Sequence, residues 1–486
     1  MKFTCPLLSY ALLVLLSFAC VGNSAAAVNS SAPRLPNIVI IFCDDLGWGD
    51  LGCFGSKTIR TPNLDRLASR GTRFTSFYVS QPVCSASRAS LLTGCYANRL
   101  GIHGALGPNS PIGLNPSETT IASMLKARGA ATALIGKWHL GRPRQVLPLQ
   151  HGFDTYFGLP YSNDMWPMHP TAKPGTYPKL PLIEGNEVVE EMPDQTLLTQ
   201  RYTDKAVGFI EANAARPFFL FLAHSMPHVP LFAGKEFKGR SAAGLYGDVV
   251  EEIDHSVGRI IETLDRLKLT QDTWVVFTSD NGPWHFYGEH AGSAGPFREG
   301  KASVFEGGVR TPCIMSWPGR IPSGRTEPKP LMTIDLLPSI AEVTGSPMPA
   351  LPIDGRSAWS LISGKRAAPS PQEAYYFYYE QGELQAMRSG KWKLHFPHVA
   401  NGLNGRSGGQ GGRPVQQDRI AVGLELYDLE NDPGERINLA GRLPAQVRRL
   451  EKMAAKARIE LGDSRLRIQG TGVRPPLRIA DSKPQL

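Results

Sequence analysis

Four strand-length apolar runs, each ending in residues capable of chemistry, constrain the fold of this chain more than any other feature. Ile38-Val39-Ile40-Ile41-Phe42 leads into Asp44-Asp45, and Ala131-Thr132-Ala133-Leu134-Ile135 leads into Lys137 and His139. Pro217 to Ala223 leads into His224 and His228, and Trp274-Val275-Val276-Phe277 leads into Asp280-Asn281. Continuous rather than alternating hydrophobicity at this length suits strands covered on both faces, as in a mostly parallel sheet flanked by helices. Ligands of such open α/β sheets sit beyond the carboxyl ends of the strands, so four chemically equipped ends predict one shared site. At 486 residues and 42% hydrophobic, the chain has material for two domains and is not of disordered composition.

The intervening segments read as helices. Asn115-Pro116-Ser117-Glu118 predicts an N-cap, a proline at the first helical position and an acid at the third, with Ile121 and Leu125 on one face and Gly129 as the stop. Thr61-Pro62 to Gly71 repeats that pattern. From Tyr246 to Leu267, Val249, Val250, Ile253, Val257, Ile260, Ile261 and Leu264 recur at helical spacing, which assigns Glu251, Glu252 and Asp254 to a solvated face. Around residues 346–374 proline, serine and glycine accumulate. Thereafter 375–379, 385–388, 391–396 and 424–429 read as short strands, followed by a helix near 443–461. Residues 401–417 are glycine-rich and read as a mobile loop. The expected division is a signal peptide at 1–27, a catalytic α/β domain at 35–365, a C-terminal α+β subdomain at 366–465 and a poorly ordered tail at 466–486. No internal repeat is visible.

Lys2, the apolar block Leu7 to Val21 and the small residues Ser24 to Ala27 have the layout of a cleaved secretory signal. The block falls short of the roughly 20 residues a membrane span needs, so no span is expected in the mature protein. Export follows, to the periplasm or medium of a bacterium or to the lysosome or exterior of a eukaryotic cell. Ser17-Phe18-Ala19-Cys20 fits a lipoprotein cleavage site only loosely, which makes a lipid anchor the weaker alternative. Cys5 and Cys20 fall in the signal, leaving Cys43, Cys53, Cys84, Cys95 and Cys313; an odd number keeps at least one thiol out of intramolecular disulfides, and the sequence does not pair the rest. The net charge of +9 favours an anionic substrate. The absence of a dense Lys/Arg run argues against nucleic acid as a partner.

Cys84-Ser85-Ala86-Ser87-Arg88 continues into Ala89-Ser90-Leu91-Leu92-Thr93-Gly94. A helix starting at Cys84 brings Arg88 round to the same face, with the thiol at a helix N-terminus beside a guanidinium. Chemistry alone allows a reactive thiolate or a small buried cysteine here. The paired acids Asp44-Asp45 and Asp280-Asn281 offer hard oxygen ligands that suit Ca²⁺ or Mg²⁺ better than Zn²⁺. In extended backbone Lys137 and His139 point to one side.

This set of motifs resembles the formylglycine-dependent sulfatases, the arylsulfatase A-like and N-acetylgalactosamine-6-sulfatase-like branch of the alkaline phosphatase superfamily. The residues from Cys84 to Gly94 resemble the signature in which a cysteine is oxidised to formylglycine by a maturation enzyme, with Ala86 where proline is usual. Gly136-Lys137-Trp138-His139-Leu140-Gly141 resembles a second signature. His228-Val229-Pro230 matches a His-x-Pro element, and Gly300-Lys301 with Glu306-Gly307-Gly308-Val309-Arg310-Thr311-Pro312 matches a further segment. Ser162 in Pro160-Tyr161-Ser162-Asn163-Asp164 matches a sulfate-contacting serine, and the likeness extends over most of residues 35–440.

The resemblance implies a large α/β domain with a smaller antiparallel C-terminal one. It implies a Ca²⁺ ion, with Mg²⁺ as the alternative, held by Asp44, Asp45, Asp280, Asn281 and modified residue 84. Lys137, His228, Lys301 and Ser162 would contact the sulfate, and Arg88 and Lys137 would position the formylglycine. Sulfate would pass to residue 84 as a covalent formylglycine-sulfate, with Asp280 assisting deprotonation of the attacking hydroxyl and His228 or Lys301 protonating the leaving oxygen. His139 would then trigger elimination. The expected substrate is a carbohydrate sulfate or an aryl sulfate, with Lys393 and His395 as candidate contacts to the leaving group and His224 as a packing residue. The competing readings are a phosphomonoester or phosphonate hydrolase of the same superfamily and a non-catalytic binder of sulfated glycans.

Overall fold

A computed structural model describes residues 1–4 and 35–479. The expected signal peptide and its cleavage site fall mainly outside the described residues. The strand Asn37–Cys43 lies at the centre of the main sheet, hydrogen-bonded in parallel to Phe218–Ala223 on one side and to Thr273–Ser279 on the other. Ala131–Gly136 pairs in parallel with Phe218–Ala223 and also with Thr155–Gly158. Antiparallel strands extend both flanks: Arg310–Ser316 joins Thr273–Ser279 to Thr72–Tyr78, and Pro181–Glu184 and Glu187–Glu191 continue beyond Thr155–Gly158. The result is the mostly parallel sheet expected from the four apolar runs.

Both faces of this sheet are covered, which explains the unbroken hydrophobicity of its strands. Val39 and Ile41 pack beneath Leu64, Leu67, Val249, Val257 and Ile260 of the helices Pro62–Ser69 and Gly244–Arg266. Ile38, Ile40 and Phe42 face the opposite layer, with Leu91, Leu92, Leu125 and Ile340 from three other helices. Each fully buried aliphatic side chain of this kind stabilises the fold by roughly 1.5–3 kcal/mol relative to leaving it exposed.

Several helix details differ from the sequence expectation. The third helix begins at Ile121, and Thr120 rather than Asn115 caps it: its hydroxyl accepts from the Ser123 amide at 3.0 Å while the Ser123 hydroxyl accepts from the Thr120 amide at 2.9 Å. Glu252 and Asp254, expected on a solvated face, are buried. Asp254 accepts from the amides of Leu64 (2.8 Å) and Asn63 (3.2 Å) at the start of Pro62–Ser69, and Glu252 accepts from the Gly234 amide at 2.7 Å. Free amides at a helix start attract carboxylates, and here that attraction acts between neighbouring elements.

A second sheet, ordered Tyr375–Tyr379, Glu383–Ser389, Trp392–His395 and Glu425–Asp428, is wholly antiparallel and packs with the helix Pro444–Leu461. The glycine-rich stretch is the connection of a hairpin between His398–Gly402 and Asp418–Val422, and the Gly409 and Val415 amides tie it to the Phe286 carbonyl. Residues 466–479, expected as part of a loose tail, lie against the main body. Arg474 pairs with Glu118 at 2.7 Å, and Leu477–Arg478 forms a short antiparallel ladder with Ile112–Gly113. None of the five cysteines among the described residues is in a disulfide. No helix among the described residues is long and apolar enough to cross a membrane.

Candidate active site

The strand ends converge because the registers are level. Cys43 pairs with Ser279, Phe42 with Ala223, and Gly136 with Ala223, so the residues that follow all leave the sheet at one height. Gly136 permits the tightest part of this arrangement, since a Cβ there would sit 1.8 Å from the Ala223 carbonyl oxygen. Asp45 and His139 both adopt positive φ (65° and 61°), a costly conformation for non-glycine residues that turns each side chain back over the strand ends.

Cys84 opens the helix Cys84–Thr93, every residue of which is buried. The small side chains Ser85, Ala86, Ser87, Ala89 and Ser90 let that helix approach its surroundings closely. Ala86 donates its amide hydrogen to the Gly104 carbonyl at 3.2 Å, a bond that the proline usual at this position in the resembling family could not make. The Cys84 Sγ lies 3.5 Å from Asp44 Oδ1. Burial, then the Asp44 charge, push the Cys84 thiol far above its ordinary range, so an unmodified cysteine here is a neutral thiol and a poor nucleophile.

Three buried acids meet four buried basic side chains around that sulfur. Arg88 donates to Asp280 Oδ2 at 2.8 and 3.1 Å and to the Lys137 carbonyl at 3.1 Å. Lys137 donates to Asp44 and, at 3.0 Å, to Ser162 Oγ. Lys301 donates to Asp45 Oδ2 at 2.9 Å, and its ammonium sits 4.1 Å above the Trp284 ring. His228 places Nε2 3.5 Å from Asp45 Oδ2, with its other nitrogen on the Val229 carbonyl. Asn281 donates to Asp45 Oδ1 at 2.7 Å.

The electrostatics follow from this packing. Burial alone would raise Asp44, but Lys137, then His228, Arg88 and Lys301 hold its carboxyl well below the usual range. Burial, then Asp44, push Asp280 upward against the pull of Arg88. Burial, then Lys137 and Arg88, hold His139 well below the ordinary histidine range, so it is a neutral imidazole at physiological pH. Burial, then Lys301, lower His228 as well.

Ligand atoms of Asp44, Asp45, Cys84 and His228 lie within 4.8 Å of one another. Asp280 lies alongside, with one oxygen accepting from Arg88 and the other from the Asp45 amide (3.1 Å). Asn281 Oδ1 remains beside the group, buried and without a hydrogen-bond partner among the described residues. Oxygen-rich donors around an orphaned acceptor suit a hard divalent cation.

This chemistry has counterparts in known proteins. The sequence matches the sulfatase family over residues 36–346 and the C-terminal region of aryl-sulfatase over 370–478. The chain belongs to the sulfatase family. It is 38% identical to arylsulfatase A of Homo sapiens over 439 residues, 86% of each chain. It is also 38% identical to N-acetylgalactosamine-6-sulfatase of Canis lupus familiaris over 449 residues, 86% of this chain and 84% of the relative. Among solved structures, the PsFucS1 sulfatase from Pseudoalteromonas sp. superposes with a TM-score of 0.78 at 28% identity, covering 87% of this chain and 91% of that one. The protein is therefore a sulfuric ester hydrolase.

Within this sulfatase, Cys84, Arg88, Lys137, His139, Ser162, His228, Lys301, Asp44, Asp45, Asp280 and Asn281 all lie buried at the strand ends. Lys393 and His395, candidate leaving-group contacts, do not face the site. Both are fully buried; Lys393 pairs with Glu306 (2.9 Å) and Glu435 (3.0 Å), and His395 with Glu435 (2.7 Å). Two carboxylates from distant parts of the chain claim them, a pairing invisible in the sequence. Glu306 also accepts from Tyr78 (2.6 Å) and Arg310 (3.1 Å), so the acid of the Glu-Gly-Gly-x-Arg segment joins the two sheets. His224 is a packing residue, its Nε2 3.3 Å from Ser256 Oγ.

Proposed function

We propose that this enzyme cleaves a carbohydrate sulfate using formylglycine made from Cys84 by a maturation enzyme, assisted by Ca²⁺ or Mg²⁺. The observation that carries the reading is the placement of the Cys84 side chain where three buried acids, Asp44, Asp45 and Asp280, meet Arg88, Lys137, Lys301 and His228. In the structure Sγ marks where the oxygens of the hydrated aldehyde would sit. Asp44, Asp45 and residue 84 would hold the cation, with Asn281 Oδ1 as a further donor and His228 and Asp280 at its edge. When bound, the cation supplies charge neutralisation at sulfur and acidifies the nucleophile, and formylglycine supplies one hydroxyl to accept the sulfuryl group and a second from which elimination expels it.

The chain's own residues account for the remaining work. Lys137 and Lys301 bring positive charge to the sulfuryl oxygens, and Ser162 holds the Lys137 ammonium in line. Arg88 fixes Asp280 next to residue 84, where that carboxyl takes a proton from the attacking hydroxyl. Lys301, kept charged beside Asp45, stands to protonate the departing oxygen, with His228, braced by the Val229 carbonyl, next to it. His139 is a neutral base with both ring nitrogens unpartnered among the described residues, suited to take the proton from the second hydroxyl. The carbohydrate reading is supported by the basic net charge and by relatives named for a sulfated amino sugar. The leader-like N-terminus supports export.

Turnover of an aryl sulfate and its aryl phosphate analogue tests the reaction class. Sulfate release exceeding phosphate release, and lost when Cys84→Ala is made or the protein is stripped with a chelator, is the expected result. Preference for the phosphate, or a fully active Cys84→Ala enzyme, contradicts the proposal.

A further inference from the structure

The loop that carries Ser162 continues into a group of side chains that the chemistry above does not use. Asn163 anchors the loop by donating to Gln195 Oε1 (3.1 Å) and the Pro230 carbonyl (3.3 Å), which ties it to the His228-Val229-Pro230 turn. The next residue, Asp164, is 8% exposed, and its Oδ1 has no hydrogen-bond partner among the described residues. Its other oxygen faces His169 Nε2 at 3.9 Å, beyond hydrogen-bond reach. The amides of Thr171 (3.2 Å) and Ala172 (3.0 Å) donate to His169 Nδ1, so the imidazole carries its proton on Nε2, the atom turned to Asp164. A carboxylate acceptor and an N–H donor therefore stand side by side, neither satisfied by the other.

This pair adjoins the catalytic cluster, because Asn163, the residue before Asp164, is held on the carbonyl of Pro230, two residues beyond His228. The charge of Asp164 is felt at His228 and also at Tyr177 and Tyr287. Tyr287 packs on Trp284 with ring centroids 4.9 Å apart, Trp284 packs on His228 at 5.4 Å, and Tyr177 packs on His169 at 5.5 Å. Trp284 is only half-buried and offers part of an aromatic face. A buried carboxylate oxygen without a donor is costly to the free protein, and the cost is removed when a ligand supplies the donor.

Resting on the sulfatase reading above, we infer that Asp164 and His169 recognise a hydroxyl group of the leaving sugar, and that the exposed part of Trp284 receives its C–H face. A hydroxyl is the group that answers both partners at once, donating to Asp164 and accepting from His169 Nε2. The Asp164 charge disfavours a second anion at that position. The substrate class is therefore a neutral, hydroxyl-bearing sugar ring sulfated once, rather than a uronic acid or a doubly sulfated unit.

The test compares Asp164→Asn and His169→Gln with the wild-type holoenzyme on an aryl sulfate and on a panel of neutral hexoses and hexosamines carrying one sulfate. Asp164→Asn keeps the side-chain shape, which guards against a folding artefact. The expected result is a loss of about 10- to 100-fold in kcat/KM on the cleaved sugars, mostly in KM, with less than about a threefold change on the aryl sulfate. A parallel fall on both substrate types, or no fall on either, overturns the hydroxyl-reading role. So does a wild-type enzyme that cleaves the aryl sulfate and none of the sugars. A wild type that releases sulfate from nothing in the set refutes the sulfatase reading itself, and the two failures are thereby distinguishable.

Discussion

Two buried ionic clusters in this molecule look alike in composition and differ in what they leave unsatisfied. One surrounds Cys84 at the strand ends; the other, built from Glu306, Lys393, Glu435, His395, Arg388 and Tyr78, lies where the C-terminal sheet meets the main body. In the second, each carboxylate has several donors, and among the described residues only His395 Nδ1 lacks a partner. In the first, His139 has two idle nitrogens, and Asn281 Oδ1 and, further out, Asp164 Oδ1 are idle as well. Buried charge that is fully paired is architecture. Buried polar groups left waiting mark the place where a cation and a substrate complete the set.

The largest expected contrast is kinetic. His139→Ala should lower multiple turnover of an aryl sulfate by about 10²- to 10⁴-fold while still releasing close to one equivalent of the alcohol per enzyme, read as a burst in rapid-mix absorbance. A steady rate without a burst would remove His139 from the second half-reaction. Lys393→Met should behave in the opposite way. It strands Glu306 and Glu435 without their shared cation and should cost about 3–5 kcal/mol in chemical denaturation, while the folded fraction keeps wild-type turnover. A loss of turnover with unchanged stability would move the interface cluster into the catalytic group.

Acid should act through two buried histidines outside both clusters. Burial lowers His151 and His224, each to about 4 in the folded protein, against roughly 6.5 in an unfolded chain. Below that upper value the unfolded state binds protons first, so stability present at neutral pH should be lost progressively toward pH 4. In the interface cluster Lys393, then Arg310 and Arg388, hold Glu306 down against burial, whereas burial raises its neighbour Glu435. Urea titrations at stepped pH should show the decline, and His224→Gln should make it shallower; a stability that rises toward pH 4 contradicts the assignment. The smallest effect belongs to the helix cap: Asp254→Ala should cost about 1 kcal/mol in the same assay, and no measurable change would mean that the Pro62–Ser69 amides find other acceptors.

The same two clusters show what was legible in the sequence. The strand-end site was readable because its residues follow continuous apolar runs, and parallel pairing brings such ends together wherever the intervening loops lead. The interface cluster was not, since Lys393 reaches Glu306 across 87 positions and nothing local to the Trp392–His395 strand announces an acid above it. Local signals also misled where a longer-range partner prevailed. Asn115-Pro116 is a stronger cap on paper than Thr120, yet the Asn115 side chain reaches the Pro475 carbonyl (3.3 Å) and the Ser117 amide (3.1 Å) instead. The charged segment beyond residue 466 looked unanchored until Arg474 met Glu118. Asp164 closes the Pro160-Tyr161-Ser162-Asn163-Asp164 segment, but nothing in the sequence ties it to His169 or to the aromatics Trp284 and Tyr287, three and six residues after Asn281.

All of this turns on what residue 84 becomes. Peptide mass analysis of catalytically active protein purified from its native host, with hydrazide labelling of carbonyl groups, measures it directly. The account predicts that the peptide containing position 84 has lost its thiol and carries a hydrazide-reactive aldehyde in proportion to specific activity. Full sulfatase turnover from protein whose Cys84 remains an intact thiol would contradict it.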